Sequence, residues 1–338
     1  MRIRVMVFLG CLGIFLGLSP AVDAHWEQTA GPPKSPVYSL LVSGAKLYAG
    51  TQGSGVFLTE NDGASWRMIS GAIAIPATIG IRTPPPVTCL AVMASELFAG
   101  TEYRGVFRTR DDGASWQPVN TGFAMESFFR ELGAPPEIWI SCFVVIGTKI
   151  FAGQTDFCVY VSSDSGQSWK PTGQGMPEEP CVISLVASGN NLFAGTELGS
   201  VYFFSDSRKK WLELPLKLPN GTHVHCLLAS GKHLFAGTGA GLFLTSDNGK
   251  KWKAVNQGLP KGAAIKALAA SGSSLFAGTD GEGVFFSTDN GATWKALNDR
   301  LFDTKILSLA VSASYLFAGS GDSGVWRLPL SSLPPIKR

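Results

Sequence analysis

One five-residue phrase returns seven times along this chain, and no other feature narrows the possible folds so far. It reads Leu47-Tyr48-Ala49-Gly50-Thr51, with later copies beginning at Leu97, Ile150, Leu192, Leu234, Leu275 and Leu316. Successive copies lie 50, 53, 42, 42, 41 and 41 residues apart. A period near 42 is the length of a four-stranded propeller blade, a unit that buries its faces only by stacking on its neighbours. Within each unit, period-two alternation and turn residues mark four short strands. Val182-Ile183-Ser184-Leu185-Val186 exemplifies the first, the repeated phrase is the second, and Gly283-Val284-Phe285-Phe286-Ser287 exemplifies the third. The fourth opens on a tryptophan. Apart from one helical turn expected near residues 126–132, no 3.6-residue period competes with this pattern. The expected fold is all-β, a seven-bladed β-propeller of four-stranded antiparallel blades.

A second motif joins the third and fourth strands. Residues 59–66, 109–116, 162–169, 245–252 and 287–294 place Asn61, Asp111, Asp164, Asp247 and Asp289 two residues before a glycine and five before a tryptophan. A short carboxylate or amide can accept the turn's own N–H groups, glycine supplies a positive φ, and tryptophan buries a large face beneath the turn. Residues 204–211 keep Asp206 and Trp211 but carry Arg208 at the glycine position, so this turn is expected to take another shape. The seventh repeat stops after its third strand, whereas Trp26 stands 40 residues before Trp66 with no repeat in front of it. Residues 25–30 are therefore expected to complete the last blade, closing the ring and removing its exposed edges.

These residues resemble the Asp-box, or bacterial neuraminidase repeat, propellers, and the resemblance covers essentially the whole chain after residue 24. That superfamily includes sialidases, xyloglucan-cleaving hydrolases, sortilin-type receptors and photosystem II assembly and stability factors. The short, regular blades are similar to the last kind and to exported bacterial propellers. The resemblance implies the fold, whereas the scaffold hosts unrelated activities.

Function is sought in the loops that follow the repeated phrase and in the connections between blades, which share one face. Two connections, residues 68–86 and 118–136, are long and apolar, with Ile73, Ile75, Ile79, Ile81, Phe123, Phe128 and Phe129. Such loops on a rigid scaffold either bury one another or bind a partner. Arg82, Arg104 and Arg130 fall on this face, with Glu102 and Tyr103 beside Arg104 and Asp156 in the next blade's loop. Converging guanidinium groups would favour a carboxylate, sulfate or phosphate. Sialidases hold a carboxylate with three arginines and use a paired tyrosine and glutamate, but the Arg-Ile-Pro segment such enzymes usually carry is missing. Another glycoside hydrolase would need two carboxylates facing each other, for which Glu102, Glu126, Glu131, Asp156 and Glu197 are candidates. The reading favoured by the sequence is a monomeric, non-catalytic scaffold that binds a protein or glycan through the long connections of blades one to three. A glycan-acting hydrolase is the alternative.

Other features set limits. Arg2 and Arg4, an apolar run over residues 5–18 and small residues at 20–24 make an export signal, with cleavage expected before His25 and a secreted or periplasmic destination. Residues 25–338 then form one propeller. An uncleaved signal would anchor the chain, and no later stretch is long enough to span a bilayer. A formal net charge of +3 without a basic block disfavours nucleic acid. His223-Val224-His225 places two imidazoles on one strand side without an evident third ligand, so no metal or cofactor is expected. Cys89, Cys142 and Cys226 read as small buried fillers of the first strands, with Cys142 one residue off the column. Cys158 and Cys181, at strand beginnings in neighbouring blades, are expected to form a disulfide.

Overall fold

The computed structural model describes residues 25–333 except 72, 74–83, 124–136, 156–157, 178–179 and 220. Seven four-stranded antiparallel sheets follow one another around a ring. Their inner strands are Val37–Ser43, Val87–Met93, Ile140–Ile146, Val182–Ser188, Val224–Ser230, Ile265–Ser271 and Ile306–Val311. Each inner strand contacts the next, and the last contacts the first. The last blade takes its outer strand, Glu27–Gln28, from the other end of the chain, where it pairs with Val325–Pro329. The expected helical turn near 126–132 lies outside the described residues.

The repeated phrase is legible in the packing. Its phenylalanines (Phe98, Phe151, Phe193, Phe235, Phe276 and Phe317) and every one of its alanines are buried. Its glycine marks a close approach between blades. A Cβ added to Gly195 would meet Val224 Cγ1 at 2.7 Å, and one on Gly319 would meet Val37 Cγ1 at 2.7 Å. The glycine of each blade thus receives the β-branched first residue of the next inner strand, including across the ring closure. Hydroxyls lace the same strands together: Thr88 Oγ1 donates to the Ile140 carbonyl, Ser141 Oγ to that of Val182, and Ser308 Oγ to that of Val37 at 2.9 Å. Cys89, Cys142 and Cys226 occupy equivalent places in the inner strands, opposite Gly100, Gly153 and Gly237. Cys142 is therefore in the column and not one residue off it: it stands eight residues before Ile150, as Cys89 does before Leu97 and Cys226 before Leu234, and the bulge at the strand's start is common to these blades.

The turns between third and outer strands share one hydrogen-bond scheme. In blade two, Thr109 Oγ1 donates to Asp111 Oδ1 at 2.7 Å and accepts from the Gly113 N–H at 2.9 Å. Asp111 Oδ1 also accepts from the Ser115 N–H at 2.9 Å. The schemes around Asn61, Asp164, Asp247 and Asp289 match it. Two successive residues take positive φ, Asp112 at 53° and Gly113 at 88°. Blade four departs as the sequence requires: Phe204 replaces the hydroxyl, only Lys209 takes positive φ there, and Asp206 pairs with Lys209 Nζ at 2.5 Å. Asp206 is thus a surface ion-pair partner in place of the turn acceptor expected from its alignment.

The tryptophans bind each blade to its predecessor. Trp116 Nε1–H donates to the Ile69 carbonyl, Trp169 to Val119, Trp294 to Val255 and Trp26 to Leu297, the acceptor always lying just beyond the preceding outer strand. Trp66 and Trp211 reach the hydroxyls of Thr29 and Thr172 at the same place. Trp252 is the exception, a buried Nε1 with no partner among the described residues.

No bridge joins Cys158 to Cys181 in the structure. Cys158 packs against the apolar core between blades two and three, and burial pushes its thiol up. Cys181, at φ 45°, offers its carbonyl to the Glu197 N–H at the start of blade four. The two strand beginnings share a face, as expected, but the Cys158 side chain belongs to the seam on the other side of its blade.

Candidate functional site

Register fixes which loops meet. Val182 pairs with Thr196, so each inner strand begins where the repeated phrase ends, and the inter-blade connections and phrase-following loops form one face. The second residues of the inner strands ring the mouth of the central channel there. They are Tyr38, Thr88, Ser141, Ile183, His225, Lys266 and Leu307, all half-buried, whereas the first residues are fully buried.

On blades four to six this face carries a row of charged and titratable groups. Glu197 Oε1 lies 3.8 Å from His223 Nδ1, and the His223 ring lies against that of His225 with centroids 5.7 Å apart. Lys266 Nζ is 3.3 Å from His225 Nε2 and 3.7 Å from Asp280 Oδ2. Burial, with the Lys266 ammonium and His223 beside it, pushes His225 down to about 4. It is therefore a neutral imidazole at pH 7, accepting from Lys266. Among the described residues no group of three or more His, Cys, Asp or Glu is arranged to hold a metal ion.

On blade two, three consecutive residues singled out from the sequence, Glu102, Tyr103 and Arg104, each meet a different partner. Tyr103, at φ 69° and exposed, sets its ring edge-on to Trp139 with centroids 4.4 Å apart. The Arg104 carbonyl accepts from Asn120 Nδ2 at 3.1 Å, and its main chain bridges to Ile138. Glu102 is half-buried, which pushes its carboxyl above the usual range, and Tyr38 is raised by its own burial and then by the Glu102 charge. Arg82, Arg130 and Asp156 lie outside the described residues, as do Glu126, Glu131, Ile75, Ile79, Ile81, Phe128 and Phe129. Ile73 and Phe123 are core residues and not surface ones: Ile73 is buried beside Ile69 and Trp116, and Phe123 stacks on Trp169 at 4.9 Å.

Lys266 and Asp280 were not singled out by sequence reasoning. The signal was present, since Lys266 holds the same register as His225 one repeat later, and Asp280 the same as Glu102 and Glu197. The face also exposes Leu198 and Phe302 at 64% and 85%. Among the described residues no helix is long and apolar enough to cross a membrane.

Comparison with known proteins places the fold and stops there. The family profile of the DUF6242 beta propeller domain matches residues 182–315. No curated protein matches the chain. The extracellular domain of BT4673 from B. thetaiotaomicron is similar at 17% identity and a TM-score of 0.68, with 90% of this chain and 39% of that one covered. The chain thus spans well under half of that domain's length. A YCF48 structure described as bound to D1 peptide is similar at 14% identity and a TM-score of 0.68, covering 92% and 97% of the two chains. The GH74 enzyme of Niastella koreensis is similar at 16% identity and a TM-score of 0.62, covering 88% and 43%. At these identities the likeness establishes a seven-bladed β-propeller and nothing finer.

Proposed function

We propose that this chain is an exported propeller of the Asp-box type that binds a protein partner on its channel-mouth face without catalysis, residues 1–24 being a signal peptide and 25–338 one domain. The observation that carries the non-catalytic reading is how the carboxylates of this face are engaged. Among the described residues, Glu197 faces His223 and Asp280 faces Lys266 at the two ends of one row, with His225 between them, while Glu102 stands on blade two. A glycoside hydrolase needs two carboxyl groups facing each other about 5–9.5 Å apart across a cleft. The exposed Tyr103, Leu198 and Phe302 offer apolar anchors on the same rim, the kind of residue that dominates protein interfaces. The extracellular origin of the BT4673 domain and the D1 peptide of the YCF48 structure support export and a protein partner by analogy of fold.

The test compares three forms of the protein from His25 for retention of exported proteins and for hydrolysis of a glycan panel. They are the native sequence, a face variant carrying Tyr103→Asn, Leu198→Ser and Phe302→Ser, and a variant altered only on the opposite face. Asparagine is chosen at position 103 because it tolerates the positive φ there. A partner retained by the first and third forms and lost from the second is expected, with no turnover. Turnover of any glycan, or retention indifferent to the face substitutions, overturns the reading.

A further inference from the structure

The seam between blades one and two carries, on the face of the Asp111-type turns, a cavity of about 380 Å³ that the channel-mouth reading does not use. Its polar lining is Ser43, Lys46 and Tyr48 from blade one and Ser95, Thr109, Arg110 and Asp112 from blade two, with Val92 and Leu97 as apolar wall. The volume falls within the roughly 300–1,000 Å³ of small-molecule clefts.

Two residues of this lining depart from the repeat. Tyr48 stands where the other six blades have phenylalanine, at Phe98, Phe151, Phe193, Phe235, Phe276 and Phe317. Its ring is buried, and it lines the cavity together with Lys46 and Asp112. Burial raises it, keeping it a neutral donor and acceptor at ordinary pH. The second departure is the hairpin of blade two, where Ala94 and Ser95 take φ of 49° and 69° without a glycine. Blades one, three, four, five and six use Gly44, Gly147, Gly189, Gly231 and Gly272 at this turn. Non-glycine residues held in the left-handed region store strain of order 1 kcal/mol each, which concentrates where a site needs a particular side chain. Here it sets Ser95 on the cavity's lip.

The charges decide the ligand class. Lys46 Nζ meets Asp112 Oδ1 at 2.6 Å across the seam, and Arg110 Nε meets Glu96 Oε1 at 2.5 Å. Each charge of the lining already has a counter-ion, Glu96 being shared with Arg108 at 3.7 Å, so the cavity offers no unpaired charge to attract an ion. A neutral polyol needs none, because an ammonium has three donors and a carboxylate about four acceptor positions, leaving capacity beyond the pair. We infer that this cavity binds a neutral, sugar-sized polyhydroxylated molecule, with Tyr48, Lys46, Asp112 and Ser95 supplying the hydrogen bonds and Val92 and Leu97 the apolar contact.

The probes are D-glucose, D-galactose, D-mannose, N-acetyl-D-glucosamine and cellobiose, with D-glucuronate and inorganic phosphate as charged controls, titrated by calorimetry and by saturation-transfer NMR. At least one neutral sugar is expected to bind, and Tyr48→Phe to weaken it about tenfold, the loss of one hydrogen bond to a charged network. Tyr48→Phe restores the residue of the six sister blades, so an unchanged melting temperature separates lost binding from lost fold. Asp112→Asn, which keeps a residue tolerant of φ 53°, is expected to weaken the same sugar without unfolding the seam. Absence of binding by every neutral sugar, binding unmoved by both substitutions, or tighter binding of the charged controls overturns the inference. None of these outcomes bears on the opposite face.

Discussion

Trp26 and Leu297 stand 271 positions apart in the chain, yet the Trp26 indole N–H donates to the Leu297 carbonyl at 2.6 Å. The same bond joins successive blades elsewhere, so the N-terminal strand is an ordinary outer strand that happens to come from the other end of the chain. Trp26 is 2% exposed and packs with Phe276, Leu301 and Leu328. Trp26→Ala removes both the buried ring and the closing bond. Equilibrium urea unfolding is expected to show a loss of about 3–5 kcal/mol, the usual cost of a buried aromatic. A loss below about 1 kcal/mol, the level of a surface change, would mean that the ring holds without this latch.

Glycine in the repeated phrase is a packing requirement. Gly195→Ala places a Cβ 2.7 Å from Val224 Cγ1, and overpacking of this kind costs about 1–3 kcal/mol. Combined with Val224→Ala, the same substitution is expected to cost less than the sum of the two singles. A strictly additive cycle, measured by the same unfolding experiment, would show that the contact is not what the glycine serves.

The tryptophan of blade five separates packing from hydrogen bonding. Trp252→Phe removes an indole N–H that has no partner among the described residues, and is expected to be worth less than Trp169→Phe, which strands the Val119 carbonyl. The difference expected is about 1 kcal/mol, read from paired denaturation curves. Equal losses would assign Trp252 a bond it is not seen to make.

Acid stability follows from groups whose folded values are lowered. Asp111 and Asp164 are pulled down to about 2, first by the Ser115 and Ser168 hydroxyls, and His225 is pushed down to about 4 by burial. For each, the unfolded chain binds the proton at higher pH than the folded one. The stabilisation is thus complete above the unfolded value and is lost as pH falls through the folded value. Melting temperature should decline in two stages, from about pH 6.5 to 4 through His225 and below about pH 4 through the turn carboxylates. Asp164→Asn should shrink the second stage, leaving the share of Asp111, and should not alter the first. A melting temperature constant down to pH 3 would contradict both assignments.

The ring was legible in the sequence because its determinants are local and repeated. Gly195, Phe193 and the turn around Asp164 each announce one strand or turn, and Trp26 betrays the closure by lacking a repeat of its own. The site was less legible, because it depends on which groups of different blades come within reach. The neutral His225 is set by its burial and by Lys266, one repeat away, and the Glu197–His223 contact by segments of adjacent blades. Ile73 and Phe123 read as loop apolar residues but seal the outer strands. Cys158 and Cys181 were matched by the face on which their strands begin, whereas the packing of Cys158 depends on which neighbouring blade its side chain meets.

The central claim is that the channel-mouth face meets a protein. The most direct measurement places a photo-reactive benzophenone amino acid at Leu198 or Phe302 and, on the opposite face, at Glu60 or Lys250, in the full chain expressed in its own cell. Crosslinks to one protein from positions 198 and 302, with none from 60 and 250, are the predicted result. Equal crosslinking from both faces, or none from the channel-mouth positions, would contradict it.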